Sequence, residues 1–372
     1  MARLARAEVF APEEIAIVHV MNRVVRRCFL LGDDSVTGKN YDHRKVWIEE
    51  ELKHLAANFG IDLLVFAILS NHFHLVLRSR PDVVATWDDT EVARRWLRLC
   101  PLRPGADQPT EFELNSIRHD EDKLIDIRRR LSDISWWMRL LCQKIAQRAN
   151  SEDEEVGKFW QSRFRAVRLL DEESLLACAA YVDLNPIRAA MAETLEESDY
   201  TSAQRRMQAL RAQVQENQAI EAGPSTTVSD PKMHDPLKPG LVRKLLDRAP
   251  DGFLSPLELD ERQSPLGACA STSGSRSSDK GFLPMSAAQY LELLDWTARR
   301  IVSDRRGLTP EAAPAIFDRL SIKPEVWCEM VKQFGKLFSV VAGKPQLVDE
   351  TRSRIAHRRH HLSKSARELL AS

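Results

Sequence analysis

Several things are scarce in this sequence, and each scarcity excludes something. No run approaches the roughly 18 consecutive apolar residues of a membrane span. The N-terminal stretch MARLARAEVF lacks the apolar core of a signal peptide. A cytoplasmic protein with no membrane partner is therefore expected. Neither charge is in excess: 54 Lys and Arg face 54 Asp and Glu, which excludes a uniformly basic nucleic-acid coat. The six cysteines, at 28, 100, 142, 178, 269 and 328, form no CxxC pair. Neither a zinc ribbon nor a disulfide framework fits that spacing. Tyrosine is rare, with four in the chain, at 41, 181, 200 and 290, so a phenolic nucleophile has few candidates.

What is present is ordinary globular composition, 43% hydrophobic and 29% charged, which rules out wholesale disorder and collagen-like repeats. A length of 372 residues implies two domains, or one with long additions. Residues 15–23 (IAIVHVMNR) read as a strand buried on both sides, with Ile15, Ile17, His19 and Met21 on one face. Helical spacing follows over 41–58, closed by Gly60. Residues 61–81 form two apolar runs split by Ser70-Asn71, a hairpin with a tight turn. A charged, irregular insertion occupies about 82–125, with one helical candidate near 91–99. An amphipathic helix over 131–148, an alternating strand in KFWQSRFRAVRLL and a helix carrying Tyr181 complete the pattern. This order predicts an α+β fold, a ferredoxin-like antiparallel sheet with packed helices. The N-terminal domain is expected to span 1–214. Residues 215–281 read as a Pro- and Ser-rich linker with a short helix, and 282–372 as a helical C-terminal module.

Three groups of residues could do chemistry. His72 and His74 lie two apart on a strand, so both imidazoles share one face and could grip one cation. The same spacing also describes a pair that is merely exposed or hydrogen-bonded. Tyr181 precedes Asn185 by four residues on a predicted helix, which puts phenol and amide on one side; a half-buried core tyrosine gives the same pattern. Arg163, Arg165 and Arg168 interleave with Trp160, Phe164 and Val167. Such a strand could meet phosphates and stack bases, or it could be an amphipathic strand with a solvated basic face.

Taken in order, Asn71-His72-Phe73-His74-Leu75, then Phe159-Trp160-Gln161-Ser162-Arg163-Phe164, then the run from Tyr181 through Asn185-Pro186 to Ala189 resemble a known family. The chain is similar over about its first 205 residues to the IS200-like single-tyrosine transposases of the HUH superfamily, in particular the REP-associated ones. The segment His19-Val20-Met21-Asn22-Arg23 is similar to the family's first strand. The resemblance implies that His72 and His74 bind a divalent metal, Mg²⁺ or Mn²⁺, with Asn185 assisting. It implies that Tyr181 is the nucleophile, cleaving single-stranded DNA near hairpin or palindromic repeats through a 5′-phosphotyrosine. Arg23, Trp160, Arg163, Arg165 and Arg168 become DNA-binding candidates, and the resemblance leaves room for a homodimer. The insertion and residues 215–372 have no counterpart in the minimal transposases.

Three other readings stand beside this one. A non-catalytic DNA-binding or regulatory protein could keep the fold without needing all of His72, His74 and Tyr181. A replication initiator or relaxase shares the chemistry, but the GxxxxGK[ST] loop of an attached helicase is missing. A metal hydrolase built on His72 and His74 is the most distant. Charge is divided along the chain: residues 1–214 carry 31 Lys and Arg against 34 Asp and Glu. The densest basic run, RSRIAHRRHHLSK, covers 352–364, where phosphate contact or a solvated helix face would look alike.

Overall fold

Alternating burial sets the position of strand β1 (Ile17–Arg23). Val18 and Val20 are fully buried toward one side, and His19 is buried toward the other, so the strand must be covered on both faces. It sits in the middle of a five-stranded sheet of order β2-β3-β1-β4-β5. The computed structural model describes residues 8–25, 30–34, 38–103, 105, 108–221, 250–259, 267–301, 314–354 and 360–370. Cys28, residues 222–249 and 260–266 of the expected linker, and residues 355–359 of the basic run lie outside the described residues.

Strands β2 (Ile61–Ile68) and β3 (His72–Ser79) form the expected hairpin, closed by the Leu69 N–H donating to the His72 carbonyl at 2.9 Å. β1 pairs antiparallel with β3 and with β4 (Arg165–Leu169), while β5 (Val341–Ala342) adds parallel to β4. Helices α1 (His43–Asn58) and α6 (Ile134–Glu152) cover one face, where Val18, Val20, Phe73, Leu75 and Leu77 join a core with Leu52 and Trp137.

The segment expected to be irregular apart from one helix near 91–99 has that helix and three more. α2 (Pro81–Ala85), α3 (Asp89–Leu99), α4 (Glu111–Arg118) and α5 (Glu121–Leu131) occupy it. These helices are short, from 5 to 11 residues, and their sequences are rich in charge. Their caps explain why they form. Asp88 and Asp120 accept from Glu91 N and Lys123 N, and Thr110 and Glu113 make a reciprocal capping box. The strand expected through 158–170 is shorter than its alternation implied. Only β4 is continuous; before it the chain meets the end of β1 and the residues after it through an isolated bridge, Val24 to Trp160, and two flanking backbone bonds, Gln161 N to the Arg23 carbonyl and Val25 N to the Phe159 carbonyl.

The opposite face belongs to α7 (Glu172–Asp183), followed by α8 (Asn185–Arg188) and α9 (Ser202–Glu221). The C-terminal residues contribute α10 (Ala287–Ile301), α11 (Ile316–Leu320), α12 (Pro324–Leu337), α13 (Pro345–Arg354) and α14 (Lys364–Leu370). They do not stand apart as a helical module. Trp327, Met330, Val331, Phe334 and Val341 share one buried core with Leu64, Val76 and Leu176, and β5 extends the sheet itself. The reason is simple: this sheet face is too apolar for α7 alone to cover.

Candidate active site

Strand register brings the histidines together. His72 lies opposite Arg23 and His74 opposite Met21, so the side chains of alternate residues on β1 and β3 point toward α7. His19, two residues before Met21, stacks on His74 with ring centroids 5.1 Å apart and planes 9° from parallel. Its Nε2 is 2.8 Å from His74 Nδ1. His72 packs edge-on against His74 at 5.0 Å.

Helix α7 delivers Tyr181 to the same place. Its N-cap is Asp171, which accepts from Ser174 N at 2.9 Å and from Lys344 N at 2.5 Å. The helix start is thereby tied to Lys344, two residues beyond β5. Tyr181 meets His74 edge-on at 5.5 Å and His19 at 6.0 Å. The Arg188 guanidinium sits 4.5 Å over the phenol ring, and Phe334 of α12 packs beside it at 5.5 Å. Gly335 faces the hydroxyl: a Cβ there would lie 2.8 Å from Tyr181 Oη.

His19, His72, His74, Tyr181, Arg188 and Gly335 line a cavity of about 260 Å³. Arg23, Arg165, Arg188, Lys332 and Lys336 surround it, and no carboxylate is among the described lining residues. The local field is therefore strongly positive despite the neutral chain. The three imidazoles stay uncharged within it. Burial, and then the charge of Arg165, brings His19 down to about 3. Burial with Arg23 brings His72 down to about 4. Burial pushes His74 well below the usual histidine range, helped by His72, His19, Arg188 and Arg23.

Hydrogen bonds fix which nitrogens are available. His72 Nδ1 is 2.5 Å from Asn71 Oδ1; an amide oxygen only accepts, so Nδ1 carries the proton and Nε2 keeps its lone pair. His74 Nδ1 is engaged with His19, and its Nε2 is buried with no partner among the described residues. If His74 donates from Nδ1, its Nε2 lone pair is also free. Two neutral imidazoles, each oriented by a hydrogen bond at the other ring nitrogen, are a donor pair suited to one divalent ion. Among the described residues, no group of three or more His, Cys, Asp or Glu is arranged to hold a metal ion. An ion held by this pair would therefore need water or substrate oxygen at its other positions.

Comparison with protein-family models finds no match, and comparison with curated proteins finds none. Among solved structures, the chain is similar to a REP-associated tyrosine transposase bound to a REP hairpin. Identity is 11%, the overlap covers 64% of this chain and 99% of that one, and the TM-score is 0.32. A likeness of that size decides neither fold nor activity.

The other expected site residues divide. Arg23 and Arg165 line the cavity with His72, His74 and Tyr181, but Asn185 does not. α7 stops at Asp183, and the turn at Leu184 (φ −85°, ψ 4°) redirects the chain, so Arg188 reaches the cavity in place of Asn185. Arg168 has the opposite strand parity to Arg165 and lies 3.6 Å from Glu14 Oε1. Arg163 is exposed and precedes β4. Trp160 is no open stacking platform: its indole N–H donates to the Cys142 carbonyl at 2.8 Å, and its ring packs on Phe73 at 5.4 Å.

Sequence reasoning passed over His19, Arg188 and the α12 residues. For His19 a signal existed, since it shares alternation with Met21 on β1. Arg188 lies inside the quoted tyrosine motif. Nothing in the sequence links Lys332, Gly335 or Lys336 to a histidine strand more than 200 residues earlier.

Proposed function

We propose that this protein is a metal-dependent single-stranded DNA nuclease and strand transferase of the tyrosine transposase type, acting near hairpin repeats. One observation carries the reading: Tyr181 faces the His72–His74 pair across a cation-lined cavity without carboxylates. The strand order β2-β3-β1-β4, with α1 and α6 on one face, fits the ferredoxin-like arrangement that the ordered motifs imply.

In this reading the phosphodiester enters the cavity and is held by Arg23, Arg165 and Arg188, which offset its charge. Mg²⁺ or Mn²⁺ on Nε2 of His72 and His74 would supply Lewis-acid polarisation of the phosphate. The Tyr181 oxygen attacks phosphorus, the P–O3′ bond breaks, and the phenolic proton ends on the released 3′ oxygen. The products are a 5′-phosphotyrosine and a free 3′-OH. Rejoining reverses these bonds with another 3′-OH, so no nucleotide hydrolysis is needed. His19 positions His74 through their hydrogen bond.

A non-catalytic DNA-binding protein is the second reading, and the displacement of Asn185 from the cavity favours it. One experiment separates them. Wild-type protein incubated with a single-stranded hairpin oligonucleotide and Mn²⁺ should form a covalent adduct stable to denaturing electrophoresis. Tyr181→Phe should form none, and His74→Ala should lose it too. Wild type that binds the hairpin yet never forms the adduct would establish the non-catalytic reading.

A further inference from the structure

The positive lining of the cavity comes from two parts of the chain. Arg23, Arg165 and Arg188 belong to the sheet and the tyrosine region, whereas Lys332 and Lys336 come from α12. The two lysines are four residues apart, so they stand one above the other on a single helix face, about 5–6 Å apart at Cβ. Like charges at that spacing repel. Here the nearby acid, Glu329, is already engaged by the Gln333 amide. Both lysines are exposed toward the cavity opening, and Gly335 between them leaves the space before Tyr181 Oη clear. The Arg188 guanidinium donates to the Lys332 carbonyl at 2.6 Å, which couples α12 to the residue covering the phenol ring.

We propose that α12 is a working wall of the site, and that Lys332 and Lys336 bind the sugar-phosphate backbone of the single strand presented to Tyr181. The ligand class is a phosphodiester chain, because it spaces successive anions along a line, as the helix spaces its cations. A lone inorganic anion would be served by one lysine. The C-terminal region is then part of substrate binding in the same chain. The inference rests on the reading of this cavity as a strand-binding site.

The test is equilibrium binding of a fluorescently labelled single-stranded hairpin oligonucleotide to the full chain, read by anisotropy with divalent metal chelated. Lys332→Gln/Lys336→Gln should bind roughly tenfold more weakly at low salt, and the slope of log affinity against log salt should flatten by about 1.4, two single-strand phosphate contacts. Arg129→Gln/Arg211→Gln removes the same charge from exposed sites on α5 and α9 and should leave both quantities at wild-type values. An unchanged affinity and slope in the lysine variant would overturn the proposal. So would equal losses in both double variants, which would reduce the effect to net charge. Because adduct formation is not read, a protein that binds through Lys332 and Lys336 but never forms the phosphotyrosine fails the nuclease reading alone.

Discussion

At Gly335 the absence of one methyl group sets where the Tyr181 hydroxyl can lie. A Cβ would approach Oη to 2.8 Å, closer than such atoms rest, so either α12 or the phenol must move. The phenol is the softer side, held by ring contacts with Phe334 and Arg188 rather than by backbone. Gly335→Ala should therefore displace Tyr181 while leaving the helix intact, and alanine in a helix interior is favoured over glycine by about 1 kcal/mol. The expected result is a split: adduct formation falls by roughly a hundredfold, as misplacement of a reacting group by about 1 Å can produce, while the melting temperature holds or rises. A loss of stability with unchanged adduct yield would show that the glycine serves packing only.

Among elements, α7 carries the most consequence for the site, because it holds Tyr181 and is anchored at its start by Asp171. That carboxylate caps the helix through Ser174 N and also accepts from Lys344 N beyond β5. Asp171→Ala should cost about 0.5–2 kcal/mol in urea unfolding, the range for loss of a helix cap, and should weaken adduct formation by loosening the register of Tyr181. Asp171→Asn retains an acceptor for Ser174 and should recover most of the stability. The element pattern was readable where hydrophobic alternation was strong, as in β1 and the β2–β3 hairpin. Within the insertion only α3 was readable, as the helical candidate near 91–99; α2, α4 and α5 were not, being short, charge-rich helices set by caps such as Thr110 with Glu113 and by packing.

At the scale of the whole molecule, the C-terminal residues close the sheet face on which the site is built. Trp327, Met330, Val331, Phe334 and Val341 are each at most 1% exposed. Burial of such side chains is worth roughly 1.5–3 kcal/mol apiece, so together they rival the total stability of a typical domain, about 5–15 kcal/mol. A chain ended at Glu221 should lose its cooperative thermal transition and its near-ultraviolet circular dichroism. Retention of both would mean that the N-terminal part folds alone. What the sequence determined by itself was local: the His72-Phe73-His74 alternation, the position of Tyr181 on its helix, and the strands next to them, all set by residue spacing along one element. The tertiary structure alone decided that Asn185 stays out of the cavity lining, that Trp160 is packed inward, that His19 orients His74, and that α12 brings Lys332, Gly335 and Lys336 to the tyrosine. Those outcomes depend on how separate elements pack, with His19 meeting His74 across 55 residues and α12 meeting Arg188 across 144, and spacing along one element carries no record of that choice.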